Sequence, residues 1–294
     1  MIIDGCDTFC ELPIHLKIEW LPINLKDHGE TAIARSNVYS SFIEELLMSK
    51  KLKSLRKIFD KSKKVFGVHV FGTSDVDDSK FDHAVNVLRD YLDNDGDGKA
   101  NSKKLVKSLK REKAAMTIFF DEYEINEYIE KYERRIEKIG ANLQDLFDFE
   151  IVTAADTSGR FDASLEEIFH LISDYGYSKI YPKQFGYQKD SLIGQLMNDA
   201  RGGYFKKVPK QYPDGSYYTY YDKSCNYKCQ ITEYFYWGMT SVLGGQQAAG
   251  RLEEIQDEWR LNTPAKVAER DPELFDLLTN SQFDLPTALP DGLV

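Results

Sequence analysis

Residues 81–109 read FDHAVNVLRDYLDNDGDGKANSKKLVKSL, and this stretch sets the local architecture of the first half of the chain. Apolar residues recur at helical spacing on both sides of a polar segment. Before the segment they are Phe81, Ala84, Val85, Leu88 and Leu92, and after it they are Leu105, Val106 and Leu109. The pattern predicts two helices joined by a polar loop.

The loop carries three acids at alternate positions, Asp93, Asp95 and Asp97, followed directly by Gly98. Carboxylates at loop positions one, three and five can converge on one cation, and a glycine at position six permits the sharp turn that follows. Three acids so close together repel one another unless a cation is present. This spacing therefore predicts a calcium site.

The loop with its flanking helices resembles an EF-hand. The resemblance implies Lys99, through its backbone carbonyl, and Asn101, at position nine, as further calcium ligands. Lys104 stands at position twelve, where the family has a bidentate Glu, so we expect an incomplete shell and an affinity on the order of 10⁻⁴ M or weaker. The alternative is an Asp/Asn/Gly cluster that only ends one helix and caps the next.

Composition is that of a soluble globular chain. It has 294 residues, 42% of them hydrophobic and 13% aromatic, which is enough to bury a sizeable core. A net charge of −10 argues against nucleic acid as a partner, because phosphate binding needs a basic face. The basic run between Lys50 and Lys64 is interpreted as the solvated side of a helix, and the chain has no apolar run long enough to span a membrane.

The remaining pattern mixes strands and helices. Strands are predicted at 15–22, 65–71 and 115–120, and helices near 38–60 and 122–139. Loop residues at 140–160 separate this region from a second part in which helices dominate. We therefore expect an α+β fold, mostly helical with a small mixed sheet, divided into an α+β region at 1–150 and a mainly helical region at 151–294.

Four cysteines form two pairs of the same spacing, Cys6 with Cys10 and Cys225 with Cys229. They are compatible with two disulfides, with a four-thiolate zinc site or with reduced thiols, and disulfides are preferred. A bridge from Cys6 to Cys225 or Cys229 would tie the start of the chain to its second half, but spacing does not determine connectivity. The paired cysteines and the calcium-like loop favour an extracellular protein. A cytoplasmic one is the alternative, because no secretory signal pattern opens the sequence.

Segment 163–176, ASLEEIFHLISDYG, is the candidate for chemistry. Glu166 and His170 are four residues apart, so on a helix they project from one face and can share a metal ion, with Glu167 beside them. The segment resembles the HExxH helix of zincin metallopeptidases, with Glu166 in place of the first His. That resemblance implies a zincin-like second half in which Glu167 is the general base. Glu233 matches the third ligand of the gluzincin branch.

A ligand set of two carboxylates and one imidazole is harder than the usual zincin set. It suits zinc, but also manganese, iron or calcium, so the expected cofactor is zinc or another divalent metal. The expected substrate is a peptide or similar polymer lying against the Tyr-rich segment 212–221.

Two alternatives remain open. Ser164 and Glu167 have the spacing of a capping box, which would make the helix start purely structural. The protein would then be a noncatalytic, calcium-dependent extracellular binding or matrix protein. A hydrolase or lyase could also use Glu166 or Glu167 with Glu233 as a carboxylate pair without metal.

Overall fold

A computed structural model describes residues 52–293 of the chain. Its centre is a four-stranded mixed sheet made of β1 (Lys61–Val65), β2 (Val68–Gly72), β3 (Ala114–Phe119) and β4 (Asn142–Phe147), in that spatial order. The β1 and β2 strands are antiparallel, whereas β2, β3 and β4 are parallel. Together with the helices below, this confirms the α+β prediction with a small mixed sheet.

Eleven α-helices are found in the described part of the chain. They are α1 (Asp78–Leu92), α2 (Lys103–Arg111), α3 (Glu122–Ile139), α4 (Ser164–Ile172), α5 (Ser178–Ile180), α6 (Pro182–Phe185), α7 (Leu192–Ala200), α8 (Tyr227–Val242), α9 (Arg251–Ile255), α10 (Pro264–Arg270) and α11 (Pro272–Leu278). Short 3₁₀ helices cover Ser54–Lys57, Asp148–Glu150 and Ser281–Phe283, and a π-helical turn at Ser173–Tyr177 extends α4. The two helices around the acidic loop and the helix at 122–139 are confirmed.

Strand prediction was only partly correct. The segment predicted as one strand at 65–71 contains a two-residue turn at Phe66 and Gly67, whose φ values are 48° and 99°. Two consecutive positive φ values are typical of the tight turn of a hairpin, so β1 and β2 form a hairpin. Residues 61–64, predicted to belong to the polar side of a helix, form β1 together with Val65. The β4 strand was not predicted.

Both faces of the sheet are covered. On one face Phe71, Ala115 and Phe119 pack with Ile136 and Ile139 of α3. On the other face Val70, Met116 and Ile118 join the larger core, which includes residues of α1, α2, α4 and α8. Neighbouring strand residues point to opposite faces, which explains this division. As a result α4 lies between the sheet and α8 and contacts both.

The start of α8 carries a local disulfide. Cys225 and Cys229 are joined with an S–S distance of 2.02 Å and a Cα–Cα distance of 5.3 Å, which confirms a disulfide at this pair. Both sulfurs are used, so neither pairs with Cys6, and the long-range bridge considered above is not formed. Cys6 and Cys10, the predicted strand at 15–22 and most of the predicted helix near 38–60 lie outside the described residues.

None of the helices within residues 52–293 is long and apolar enough to cross a membrane.

Candidate metal centre

The start of α4 is held by Asp162. Its Oδ1 accepts hydrogen bonds from the backbone N–H groups of Ser164 (3.1 Å) and Val152 (3.1 Å), and its Oδ2 accepts from the Ser164 hydroxyl (2.6 Å). His83 of α1 contacts the same Oδ2 at 2.7 Å. The predicted capping box of Ser164 with Glu167 is therefore wrong, because Ser164 is the first residue of α4 and a carboxylate two residues earlier accepts from it. Glu167 is consequently available for other contacts.

Glu167 contacts the sheet and His170. Gln144 of β4 donates a hydrogen bond from Nε2 to Glu167 Oε2 at 2.6 Å, and the same oxygen lies 3.5 Å from Nδ1 of His170. A carboxylate beside Nδ1 favours the tautomer with its proton on that nitrogen, which leaves the Nε2 lone pair available to a metal. Glu167 therefore orients the imidazole.

His170 is 6% exposed, and its Nε2 lies 3.5 Å from Oε2 of Glu233 on α8. That separation is long for a hydrogen bond, and Nε2 has no hydrogen-bond partner in the described part of the chain. Two ligand atoms that are each about 2.1 Å from a tetrahedral ion lie about 3.4 Å apart. The observed spacing between the two side chains fits two ligands of one ion, and it is also that of an ion pair.

Glu166 completes the cluster from the same helix. One ligand atom from each of Glu166, Glu167 and His170 can be chosen so that all lie within 4.8 Å of one another. The Tyr236 hydroxyl of α8 hydrogen-bonds to the Glu166 carboxylate. The three predicted residues of α4 thus form one cluster. Glu233, from a helix far along the chain, approaches this cluster at His170.

The electrostatics of the cluster follow from crowded carboxylates in a poorly solvated place. Burial and the nearby Glu233 carboxylate raise the pKa of Glu166 well above its usual range. Burial alone would lower the pKa of His170, but the carboxylates of Glu233 and Glu167 outweigh it and hold that pKa well above its ordinary value. When no cation is bound, protons held by Glu166 and His170 therefore offset part of the negative charge of the cluster.

The cluster lies in an open cleft of about 700 Å³. Sequence reasoning missed Gln144, Glu150 and Tyr236, because strand β4 was not predicted and nothing local marks a residue that contacts α4 from another element. Burial and the charge of Glu167 raise the pKa of Glu150, which lines this cleft, to about 7.

The Tyr-rich segment is divided between the core and the cleft. Tyr218 is fully buried in the core, whereas Tyr221 is 51% exposed and lines the cleft with Tyr220. The segment therefore contributes both to the core and to one wall of the candidate site.

The acidic loop folds back on itself. Oδ1 of Asp93 accepts a hydrogen bond from the Asp97 amide (3.1 Å) and Oδ2 accepts one from the Gly98 amide (2.9 Å), while Gly96 and Gly98 have φ values of 68° and 81°. One oxygen from each of Asp93, Asp95 and Asp97 can be chosen so that the three lie within 4.8 Å of one another. This arrangement suits a cation, but exposed acids also group in this way without one.

Two other predicted ligands of the loop have internal partners. The ammonium of Lys99 lies 2.9 Å from Oδ2 of Asp97, and the side-chain oxygen of Asn101 accepts a hydrogen bond from the Asn94 amide. Asn94 in turn hydrogen-bonds to Thr287 and Ala288, which ties the loop to the C-terminal segment. Calcium binding at this loop stays a prediction.

Comparison of the chain with protein-family models, with curated proteins and with solved structures gives no match in any of the three. Its function therefore has to be inferred from the geometry of the site.

Proposed function

We propose that this chain is a divergent zincin-like metallohydrolase that binds a divalent metal ion through Glu166, His170 and Glu233 and hydrolyses peptide bonds. The observation that carries the proposal is the buried Nε2 of His170, which has no hydrogen-bond partner among the described residues and lies 3.5 Å from Glu233 Oε2 at the wall of an open cleft. A buried polar atom without a partner is costly unless a ligand satisfies it.

The donor set fits a divalent cation. Three carboxylates and one imidazole share a poorly solvated site, where a doubly charged ion would offset most of their negative charge. Nitrogen together with carboxylate oxygen suits zinc, and the excess of oxygen also admits manganese or iron. The disulfide at Cys225 and Cys229 supports an extracellular location for such a protein.

Different residues of the protein have different roles in the proposed reaction. A bound divalent ion acts as a Lewis acid on a carbonyl oxygen and lowers the pKa of water. Glu167, held by Gln144, is positioned to accept a proton from an attacking water and also keeps the His170 ring in the tautomer that presents Nε2. Tyr236 holds Glu166 from α8. The Tyr221 ring offers a surface on which a peptide can lie.

The test is metal content after exhaustive dialysis, measured by plasma mass spectrometry. We expect stoichiometric zinc, manganese or iron in the unmodified chain and its loss in His170→Ala and Glu233→Gln. Glu254→Gln is the matched control, because Glu254 lines the same cleft but pairs with Arg251 at 3.0 Å, and this variant should keep its metal. A chain that binds none of these metals, even when they are added back, would refute the proposal.

Glu167 has a test of its own, because it contacts His170 as well as being the candidate base. If it acts as a base, Glu167→Gln retains the metal and loses hydrolysis of a quenched peptide library. If it only orients His170, that substitution lowers metal affinity by roughly tenfold to hundredfold, the effect typical of an outer ligand contact.

A second candidate function is supported by the raised pKa of Glu166. A carboxyl group whose pKa is raised, with the Glu233 carboxylate close by, is the arrangement of a carboxylate-pair hydrolase or lyase. Activity that persists after removal of all metal by a chelator would favour this function. A chain without activity in either state would be left as a noncatalytic binding protein.

A further inference from the structure

The cleft around the candidate metal centre is strongly acidic. Five carboxylates besides those of the cluster line it: Glu150, Asp222, Glu254, Asp257 and Glu258. Among the described lining residues, the side chains that can carry positive charge are Arg251 and His170. His170 belongs to the metal centre, so Arg251 is left as the cation of the outer cleft.

Arg251 is already engaged. Its guanidinium lies 3.0 Å from Glu254, donates to Gln246 at 2.8 Å and stacks over the Phe161 ring at 4.2 Å. The charge of Arg251 is therefore offset locally by Glu254. It does not neutralise the carboxylates on the other walls of the cleft.

The remaining acids stand on separate elements around the opening. Glu150 follows β4, Asp222 precedes α8, and Asp257 follows α9. Asp222 accepts its hydrogen bonds from the backbone amide and hydroxyl of Ser224, which are neutral donors and leave its charge in place. A divalent ion bound by the cluster would offset the carboxylates of α4 and α8, not these. The walls of the cleft therefore keep a negative field when the metal site is filled.

We propose that the cleft selects positively charged peptide segments, in which lysine or arginine side chains lie near Asp222 and Asp257 while the backbone passes the metal centre. This inference rests on the proposed function, because it names the substrate class of the same site. The exposed Tyr221 ring and the Trp237 ring, which also line the cleft, suit both the aliphatic stems and the charged ends of such side chains.

The test is peptide binding, separated from catalysis. The Glu167→Gln protein, whose metal content is measured on the same sample, is titrated by fluorescence anisotropy. The probes are a fluorescein-labelled octapeptide of alternating lysine and alanine and matched peptides with glutamine or glutamate in place of lysine. We expect the lysine peptide to bind at least about tenfold more tightly than the glutamine peptide, and to weaken as added salt screens the charges.

Substitutions that each remove one charge test where the peptide binds. Asp222→Asn and Asp257→Asn should each weaken binding of the lysine peptide roughly twofold to fivefold, the usual range for partly exposed charge pairs. Asp276→Asn removes the same charge from an exposed position on α11 outside the cleft and should change nothing. Equal binding of the glutamine peptide, absence of binding, or an equal effect of Asp276→Asn would overturn the proposal.

The two proposals can fail separately. Selective binding of the lysine peptide, together with an unmodified chain that holds no metal, would leave the charge selectivity standing and refute the metal centre. A chain with stoichiometric metal but no preference for the lysine peptide would refute the charge selectivity and leave the metal centre standing.

Discussion

Metal binding at the α4 cluster should depend steeply on pH. In the metal-free protein Nε2 of His170 faces Glu233, and the carboxylates of Glu233 and Glu167 hold the pKa of His170 well above its ordinary value. Burial and Glu233 likewise raise the pKa of Glu166. Both groups therefore keep their protons to a higher pH than usual. A metal ligand must be deprotonated, so an incoming ion has to displace them.

The magnitude of this pH dependence follows from the number of protons that metal binding releases. While the pH lies below a raised pKa, each displaced proton changes the apparent Kd by about tenfold per pH unit, which is about 1.4 kcal/mol. If His170 alone releases a proton, raising the pH by about one unit strengthens binding about tenfold. If Glu166 also releases one, the gain is about a hundredfold. The sign of the pH dependence follows from the same count. Metal affinity rises with pH and levels off above the raised pKa values.

The assay is competition against a coloured zinc chelator of known affinity, in steps between about pH 6 and about pH 8. Calorimetry in two buffers of different ionisation enthalpy counts the released protons independently. Glu233→Gln removes the largest of the charges that raise the pKa of His170, so it should bind more weakly at high pH and release fewer protons. Affinity that is flat with pH, or that falls as the pH rises, would refute the reasoning.

Three further predictions concern the fold and the acidic loop. Burial raises the pKa of Asp145 to about 6, so between about pH 4 and pH 6 the native carboxyl group keeps a proton that the unfolded one releases. The free energy of unfolding should therefore fall by up to about 3 kcal/mol as the pH rises through that window, and Asp145→Asn should remove this loss in urea titrations. Asp162→Ala deletes the acceptor for Val152, Ser164 and His83. It should lower the free energy of unfolding by about 3 kcal/mol in the same titrations and weaken metal binding. A decrease under about 0.5 kcal/mol would contradict a role of Asp162 in placing α4. Calorimetry should show weak calcium binding, with a Kd on the order of 10⁻⁴ M or higher, that is lost in Asp95→Asn. Asp95 is the informative position because it is exposed, whereas Asp93 also holds loop amides. Identical calcium heats in both proteins would exclude the loop as the site.

Elements with clear end signals were predictable from sequence. Helix α3 was placed correctly because Asp121 accepts from the Glu124 amide at its start and Gly140 ends it in the left-handed conformation. The hairpin turn was missed because Phe66 has a positive φ, which a bulky residue rarely adopts. No local pattern in the sequence indicates that strain.

The β4 strand illustrates a different limit. Its sequence, NLQDLF, interrupts the apolar alternation with Gln144 and Asp145, so it was taken for loop. Gln144 is polar because it holds Glu167, and Asp145 accepts a hydrogen bond from Thr117 on β3. Side chains that serve a site weaken the hydrophobic pattern from which a strand is recognised. The failed prediction therefore coincides with the candidate centre.

Within the centre, Glu166, Glu167 and His170 followed from helical spacing alone, because the period of a helix fixes which side chains are neighbours. Glu233 was predicted from the resemblance to the gluzincin branch. Gln144 and Tyr236 were predicted neither from spacing nor from that resemblance. Contacts between elements depend on how helices pack, and α4 and α8, which are far apart in the sequence, are brought together by the shared core.

The packing of α4 also supports the proposal that the centre binds a cation. Asp162 fixes the start of the helix, Gln144 holds Glu167 from the sheet, and Tyr236 holds Glu166 from α8. Each of these contacts restricts one side chain, so the carboxylates cannot separate to relieve their repulsion. Their charge has to be offset by protons or by a metal ion. Nε2 of His170 has no hydrogen-bond partner among the described residues and lies 3.5 Å from Glu233, so a metal ion at this point would both offset the charge and bind the nitrogen.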